Sequence, residues 1–276
     1  DLNLVSENQL VNGSFSVWQR GNSFLRSSFI PGVSTSNFFF ADRWAIFAED
    51  DSDVTLTKIE RKSFSAGQTE ILGNPKYYAC VNMSFTGGFT SSDRVGIENV
   101  VEGVNTFANN DIFVDGYARF DGVTGSTLDF YLRKNVGTTV DQIQDLSTSI
   151  FVQGTTWMSF TLQETVTEAT GISGDDYVSL GLRCSPDMSG MTLELANIRA
   201  FGVSGVTLTD SPYRQKINSE EELLNCFRYY QRSYNIDTTT GNTTMLSTVL
   251  PDFTPVRFTV TPEFEYYHDF PVKMRK

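Results

Sequence analysis

Between about Val54 and Phe201, apolar residues recur at every second position in one segment after another, the period of an extended chain whose side chains alternate between two faces. Tyr77, Ala79, Val81, Met83 and Phe85 share one side of such a segment, with Tyr78, Cys80, Asn82 and Ser84 on the other. Ile112, Val114, Ala118 and Phe120 oppose Phe113, Asp115, Tyr117 and Arg119. After the turn residues of Asp121 to Ser126, Leu128, Phe130 and Leu132 oppose Asp129, Tyr131 and Arg133. Met158, Phe160 and Leu162 oppose Trp157, Ser159, Thr161 and Gln163, and Val178, Leu180, Leu182 and Cys184 oppose Ser179, Gly181 and Arg183. The last run starts with Met191, Leu193 and Leu195 inward and resumes with Ile198 and Ala200, a one-residue change of phase that predicts a β-bulge near Ala196 or Asn197. Eight or more strands joined by Gly, Asn, Asp and Ser turns predict an all-β fold, an antiparallel jelly-roll sandwich over about residues 1–210.

Upstream of this region, Asn12-Gly13 predicts a turn, Phe15 and Val17 the face of a strand, and Asp42 beside Arg43 and Trp44 the start of a second. Downstream, Ser219 followed three residues later by Glu222 is a capping box, and Glu220 to Glu222 place negative charge at the positive end of a helix dipole. Leu223, Cys226, Phe227 and Tyr230 form one apolar face of that helix, with Arg228 and Arg232 near its other end. Met245 to Leu250, Val256 to Val260 and Phe264 to Tyr267 predict strands. Residues 211–276 are therefore expected to form a connecting helix and an incomplete C-terminal β module.

Composition narrows the function. Hydrophobic residues make up 39% of the 276 and aromatics 13%, with 22 Phe and 11 Tyr, enough material for a large core. A formal charge of -12 repels nucleic-acid phosphates and anionic membranes, so no nucleic-acid partner is expected. No run approaches the roughly 18 consecutive apolar residues of a membrane span, and no membrane insertion is expected. Cys80, Cys184 and Cys226 are odd in number, far apart and outside any CxxC pair, and His268 is the single histidine. Neither a disulfide framework nor a Cys/His zinc site follows from them, and free thiols made in a reducing cytoplasm are the simplest reading. No cofactor or metal is expected.

Trp18, Trp44 and Trp157 are candidates for glycan contact, because aromatic faces stack on the apolar faces of pyranose rings while neighbouring polar groups take the hydroxyls. Trp157 is the most suggestive, its strand face carrying Ser159, Thr161 and Gln163. The competing reading makes all three tryptophans packing residues, as large aromatics ordinarily are. Glu49, Asp50, Asp51 and Asp53 offer oxygen ligands for calcium but lack the spacing of an EF-hand loop, and a solvated turn is the simpler reading. Carboxylate pairs suited in principle to glycoside hydrolysis are Asp175 with Asp176, Asp141 with Asp145, and Glu164 with Glu168, and nothing marks one of them. A Ser-His-Asp triad would depend on His268, with no GxSxG elbow before a helix. No catalytic residue is assigned. Tyr229, Tyr230 and Tyr234, with Phe227, Arg228 and Arg232, suit either a subunit contact or packing of the helix on the sandwich.

Several segments, taken in order, resemble a family of bacteriophage virion proteins: tail-fibre and minor structural proteins whose jelly roll is related to carbohydrate-binding modules. They are NGSFSVWQRG from Asn12, ADRWAIF from Ala41, Asp93 to Phe120, TTWMSFTLQETV from Thr155, Asp210 to Tyr234, and FPVKMRK from Phe270, inside which the family motif is expected to break off. Where the family often carries Gln-Leu-Glu, this chain has Asn197-Ile198-Arg199. The resemblance implies a non-enzymatic fibre-type virion protein, made in the host cytoplasm, homotrimeric, in contact with other virion proteins and attached to a host-surface glycan. A head fibre or capsid decoration protein, and a polysaccharide-degrading tailspike, are the alternatives.

Overall fold

The alternating stripes become strands. A computed structural model of the chain describes residues 5–6, 8–18, 21–26, 38–49, 54–85, 94–121, 126–137, 141–152, 155–172, 176–184, 192–209 and 226. Every element among them is a strand: β1 (Ser23–Arg26), β2 (Phe38–Ala41), β3 (Trp44–Glu49), β4 (Val54–Ser63), β5 (Tyr77–Phe85), β6 (Arg94–Glu102), β7 (Asp111–Asp121), β8 (Ser126–Asn135), β9 (Gln142–Val152), β10 (Met158–Thr165), β11 (Tyr177–Cys184) and β12 (Thr192–Val203). They pair antiparallel in two six-stranded sheets, β1-β4-β5-β12-β7-β10 (sheet A) and β2-β3-β6-β11-β8-β9 (sheet B). Successive strands from β5 to β8 and from β9 to β12 change sheet at every connection, which is how a jelly roll is wired. The predicted helix and second β module lie outside the described residues, apart from Cys226, which is buried.

The sandwich exists because both sheets turn one apolar face inward. Ile59, Val81, Val114, Phe120, Phe160 and Leu195 of sheet A meet Ile46, Ile97, Phe130, Leu132, Leu180 and Leu182 of sheet B in one core cluster. Sheet A also shows the predicted change of phase. The register of β12 against β7 shifts between Ala196 and Arg199, and Asn197 at the shift adopts φ 51°, a left-handed conformation that Asn tolerates.

The N-terminal signature is not a strand. Asn12 and Gly13 do turn the chain, but Phe15 follows with φ 55° and residues 11–18 make no ladder. Side chains take the backbone groups a strand partner would use. Asn12 Nδ2 donates to the carbonyls of Val17 (2.7 Å) and Asp42 (3.2 Å), and the Val17 N–H donates to Asn12 Oδ1 (2.9 Å). The knot is tied to the bulge, since the Ile198 N–H donates to Gly13 O at 2.9 Å. A Cβ at position 13 would stand 1.9 Å from the Ile198 carbonyl oxygen, so only glycine lets the two backbones meet.

Outside the core, sheet B carries a buried ionic network. Tyr131, Gly181 and Glu98 lie side by side on β8, β11 and β6. The missing side chain of Gly181 is the space in which the Tyr131 ring lies, its hydroxyl donating to Glu98 Oε1 at 2.8 Å. Arg133 Nε donates to the same carboxylate at 2.9 Å, and its Nη1 donates to Asp141 Oδ2 (2.8 Å) and Tyr177 OH (3.1 Å). Glu98, Tyr131 and Arg133 are fully buried, an arrangement sustained only because each charge is met by an opposite one and by further hydrogen bonds. Burial opposes the Arg133 charge, and the Glu98 carboxylate more than offsets it, so the guanidinium pKa is raised.

Candidate functional site

Among the described residues, the outward face of sheet A carries an open polar surface. Strand pairing brings the side chains into rows. One runs Glu60, Cys80, Glu194, Arg119 across β4, β5, β12 and β7; the next places Tyr117 between Ala196 of β12 and Ser159 of β10; the third aligns Arg199, Asp115 and Thr161. Two apolar patches are roofed. At one end Ile71, with Phe64, covers Tyr78, Trp157 and Ala196, so the β4–β5 connection lies over the sheet. At the other end Val5, Val206 and Leu208 cover Phe113, Phe201 and Val203, and Gln163 holds this cover by donating to Val206 O (2.7 Å) and accepting from Leu208 N–H (2.8 Å). Between the roofs, Ser159 and Thr161 are exposed and Tyr117, Arg119 and Arg199 are half-buried. This strip spans three strands of a rigid sheet, a platform more accurate than a loop.

Its charges are arranged vertically. Arg199 Nε donates to Asp115 Oδ1 at 3.0 Å and its Nη2 to Asp115 Oδ2; Arg119 Nε donates to Glu194 Oε2. The carboxylates lie low, with side-chain exposures of 6% for Asp115 and 4% for Glu194, while Arg199 and Arg119 retain 14% and 27%. A ligand therefore meets guanidinium N–H groups whose charge is already matched from beneath. Burial works against the Arg119 charge, and Glu194 more than compensates, so its pKa is raised. The Tyr117 hydroxyl accepts from Leu72 N–H at 3.2 Å, and Asn197 Nδ2 donates to Leu72 O at 3.2 Å, which pins the first roof beside the strip.

The three tryptophans occupy different places. Trp18 and Trp44, 1% and 0% exposed, are core residues whose indole N–H groups donate to Phe15 O (2.8 Å) and Asn12 O (2.9 Å), and whose rings pack on Phe40 and Phe15. Neither presents a face to solvent, and the reading of them as glycan contacts is corrected accordingly. Trp157 borders the strip but is itself 8% exposed, enclosed by Tyr78 edge-on (5.4 Å), Phe64 (5.4 Å) and the Arg119 guanidinium (4.7 Å from the ring centroid). It supports Arg119 through a cation–π contact and forms the wall of the strip.

No sequence motif marks the residues that build the strip, Asp115, Tyr117, Arg119, Glu194 and Arg199. The signal available for them was the polar face opposite Ile112, Val114, Ala118 and Phe120. Among the candidate carboxylates, Asp141 is held by Arg133 and by Asn135 Nδ2 (2.8 Å), Asp145 lies 3.6 Å from Arg183, and Asp176 accepts from Val104 N–H at 2.6 Å. Asp50, Asp51, Asp53 and Asp175 lie outside the described residues, as do Phe227, Arg228, Tyr229, Tyr230, Arg232, Tyr234 and His268. No group of three or more metal-ligating side chains occurs among the described residues.

No family matches the sequence, and no curated protein matches it. Among solved structures the strand arrangement is similar to the xylan-binding CBM22-1 domain of Paenibacillus barcinonensis Xyn10C, at 13% identity over 58% of this chain and 87% of that one, with a TM-score of 0.37. It is similar to the C-terminal family 22 carbohydrate-binding module of Clostridium thermocellum Xyn10B, at 13% identity over 60% and 88% of the two chains, TM-score 0.40. The enzymatically active domain of bacteriophage CBA120 tailspike protein 4 gives 14% identity over 71% of this chain and 21% of that chain, TM-score 0.37. Likeness at this level fixes neither ligand nor activity, and the two-sheet sandwich assigned here rests on the chain's own strand pairing.

Proposed function

We propose that this chain is a non-catalytic, fibre-type phage virion protein, assembled as a homotrimer with other virion proteins, that holds a host-surface glycan on the outward strip of sheet A. The observation that carries the glycan reading is the strip itself: the Tyr117 ring, the hydroxyls of Ser159 and Thr161, and the paired guanidinium groups of Arg119 and Arg199, on three paired strands between two roofed patches. A ring with flanking donors and hydroxyls is what a pyranose needs, one apolar face and several polar edges. The carboxylates of the strip support the non-catalytic reading. Asp115 and Glu194 are each bound by an arginine and sunk beneath it, so neither is placed to protonate a glycosidic oxygen. The virion setting rests on the resemblance of the sequence segments.

The test is a glycan-array and affinity-electrophoresis comparison of the parent chain with Tyr117→Ala, which removes the ring and leaves the core side of β7 untouched. The reading expects binding in the parent and at least about a tenfold loss in the variant, the size of one lost stacking and hydrogen-bonding anchor. Undiminished binding in Tyr117→Ala would place the glycan elsewhere, and release of reducing sugar by the parent would show an enzyme.

A further inference from the structure

We infer that the strip selects uncharged polysaccharide over acidic polysaccharide, because its cations are spent inside it; the inference rests on the glycan reading above and specifies its ligand. An acidic sugar is usually captured by an arginine whose fork is free to take a carboxylate. Here both guanidiniums already face a carboxylate. Arg199 gives two N–H groups to Asp115, and Arg119 gives its Nε–H to Glu194 while its guanidinium lies against Trp157. Each pair contributes one positive and one negative charge, so Arg199, Asp115, Arg119 and Glu194 together add none to the strip. Lys62 of β4, a neighbouring cation outside the three strands of the strip, stands 3.8 Å from the other Glu194 oxygen; because it shares that carboxylate with Arg119, one positive charge is left unmatched at the β4 side and none over the strip itself.

A uronate carboxylate arriving at Arg119 or Arg199 would therefore approach a buried carboxylate just below it. Specificity then comes from the repulsive element as much as from the attractive one. The whole chain acts in the same direction, since a formal charge of -12 repels a polyanion before contact. A sugar hydroxyl meets no such penalty. It can donate to Ser159, Thr161 or Tyr117 oxygens and leave the ion pairs intact.

The experiment compares the parent with Glu194→Gln and Asp115→Asn on uncharged polysaccharides (a glucan, a xylan, a mannan) and acidic ones (polygalacturonate, alginate), at low and high salt, with thermal unfolding as the folding control. The parent should bind an uncharged polymer with little dependence on salt and bind the acidic polymers at least about tenfold more weakly. In either isosteric variant one arginine loses its counter-charge, and acidic binding should rise about tenfold and become salt-sensitive. Equal or tighter binding of acidic polymers by the parent overturns the inference while the glycan reading stands. Binding of neither class overturns the glycan reading. If both variants fail to fold, the parent's ranking of the two polymer classes still decides.

Discussion

Replacing Gly181 by alanine adds one methyl group where the structure has none to spare. The new Cβ would lie 2.1 to 2.5 Å from three atoms of the Tyr131 ring, below any real contact, so the ring has to move. Tyr131 is fully buried, and moving it breaks the 2.8 Å hydrogen bond to Glu98 and loosens the enclosure of the Glu98–Arg133 pair. Overpacking a tight site costs about 1–3 kcal/mol. Losing a hydrogen bond to a charged group costs about 1.5–3 kcal/mol. Alanine returns about 0.4–1 kcal/mol by restricting the unfolded chain. The sum is a loss of about 1.5–5.5 kcal/mol, and a mid-range loss of about 3.5 kcal/mol lowers Tm by about 7–14 °C in a domain of this size.

Urea unfolding of the parent, Gly181→Ala, Tyr131→Phe and the double variant separates the terms. Tyr131→Phe keeps the ring and removes the hydroxyl, so Gly181→Ala should cost less on that background, by the share that ran through the Glu98 hydrogen bond. A stability for Gly181→Ala within about 0.5 kcal/mol of the parent would refute the reasoning, because a tolerated methyl means that the glycine is not what seats the tyrosine.

Tyr131 also sets an alkaline limit. Burial first, and then the Glu98 charge, raise its pKa well above the usual 10.0, so the fold favours the protonated phenol. That contribution is whole below pH 10.0 and is lost as pH rises beyond it; the parent should lose about 1.4 kcal/mol per pH unit more than Tyr131→Phe in unfolding titrations there. Lys134 Nζ, buried and with its pKa lowered by desolvation, donates to Gln144 Oε1 (2.7 Å), Thr167 O (2.6 Å) and Thr167 Oγ1 (2.9 Å). Lys134→Met removes these bonds to Gln144 and to the exposed Thr167, and should cost about 0.5–1.5 kcal/mol while speeding amide exchange around Thr167. Gly13→Ala should be far worse than Gly67→Ala. The first meets a backbone oxygen at 1.9 Å, whereas the second has φ +76° and nothing within 4 Å, leaving a backbone strain of about 1 kcal/mol in thermal unfolding.

Alternation alone separates Asp115, Tyr117 and Arg119 from Val114, Ala118 and Phe120, and the phase slip after Leu195 puts a bulge near Ala196 or Asn197, where the register shifts between Ala196 and Arg199. Those features are local, set by a period of two. What local pattern does not carry is pairing. Arg119 finds Glu194 and Asp115 finds Arg199 across 75 and 84 residues of sequence, through a strand order that β7 and β12 reach only by leaving for the other sheet and returning. The tryptophans show the same limit. Alternation puts Trp157 on the strand face of Ser159 and Thr161, but its cover comes from Phe64 and Ile71 on a distant connection. Trp18 and Trp44 are buried because Asn12 and Phe15, in a left-handed turn rather than a strand, supply carbonyls to both indoles. The space for Tyr131 was equally silent, since Gly181 reads in sequence as a weak strand residue and not as a seat for a ring.

The most direct measurement is amide hydrogen exchange of the chain with and without a bound uncharged polysaccharide. The account predicts added protection in Asp115–Arg119, Ser159–Thr161 and the stretch around Arg199, with sheet B unchanged. Protection confined to sheet B, or none on β7 and β10 while the polymer is demonstrably bound, would contradict it.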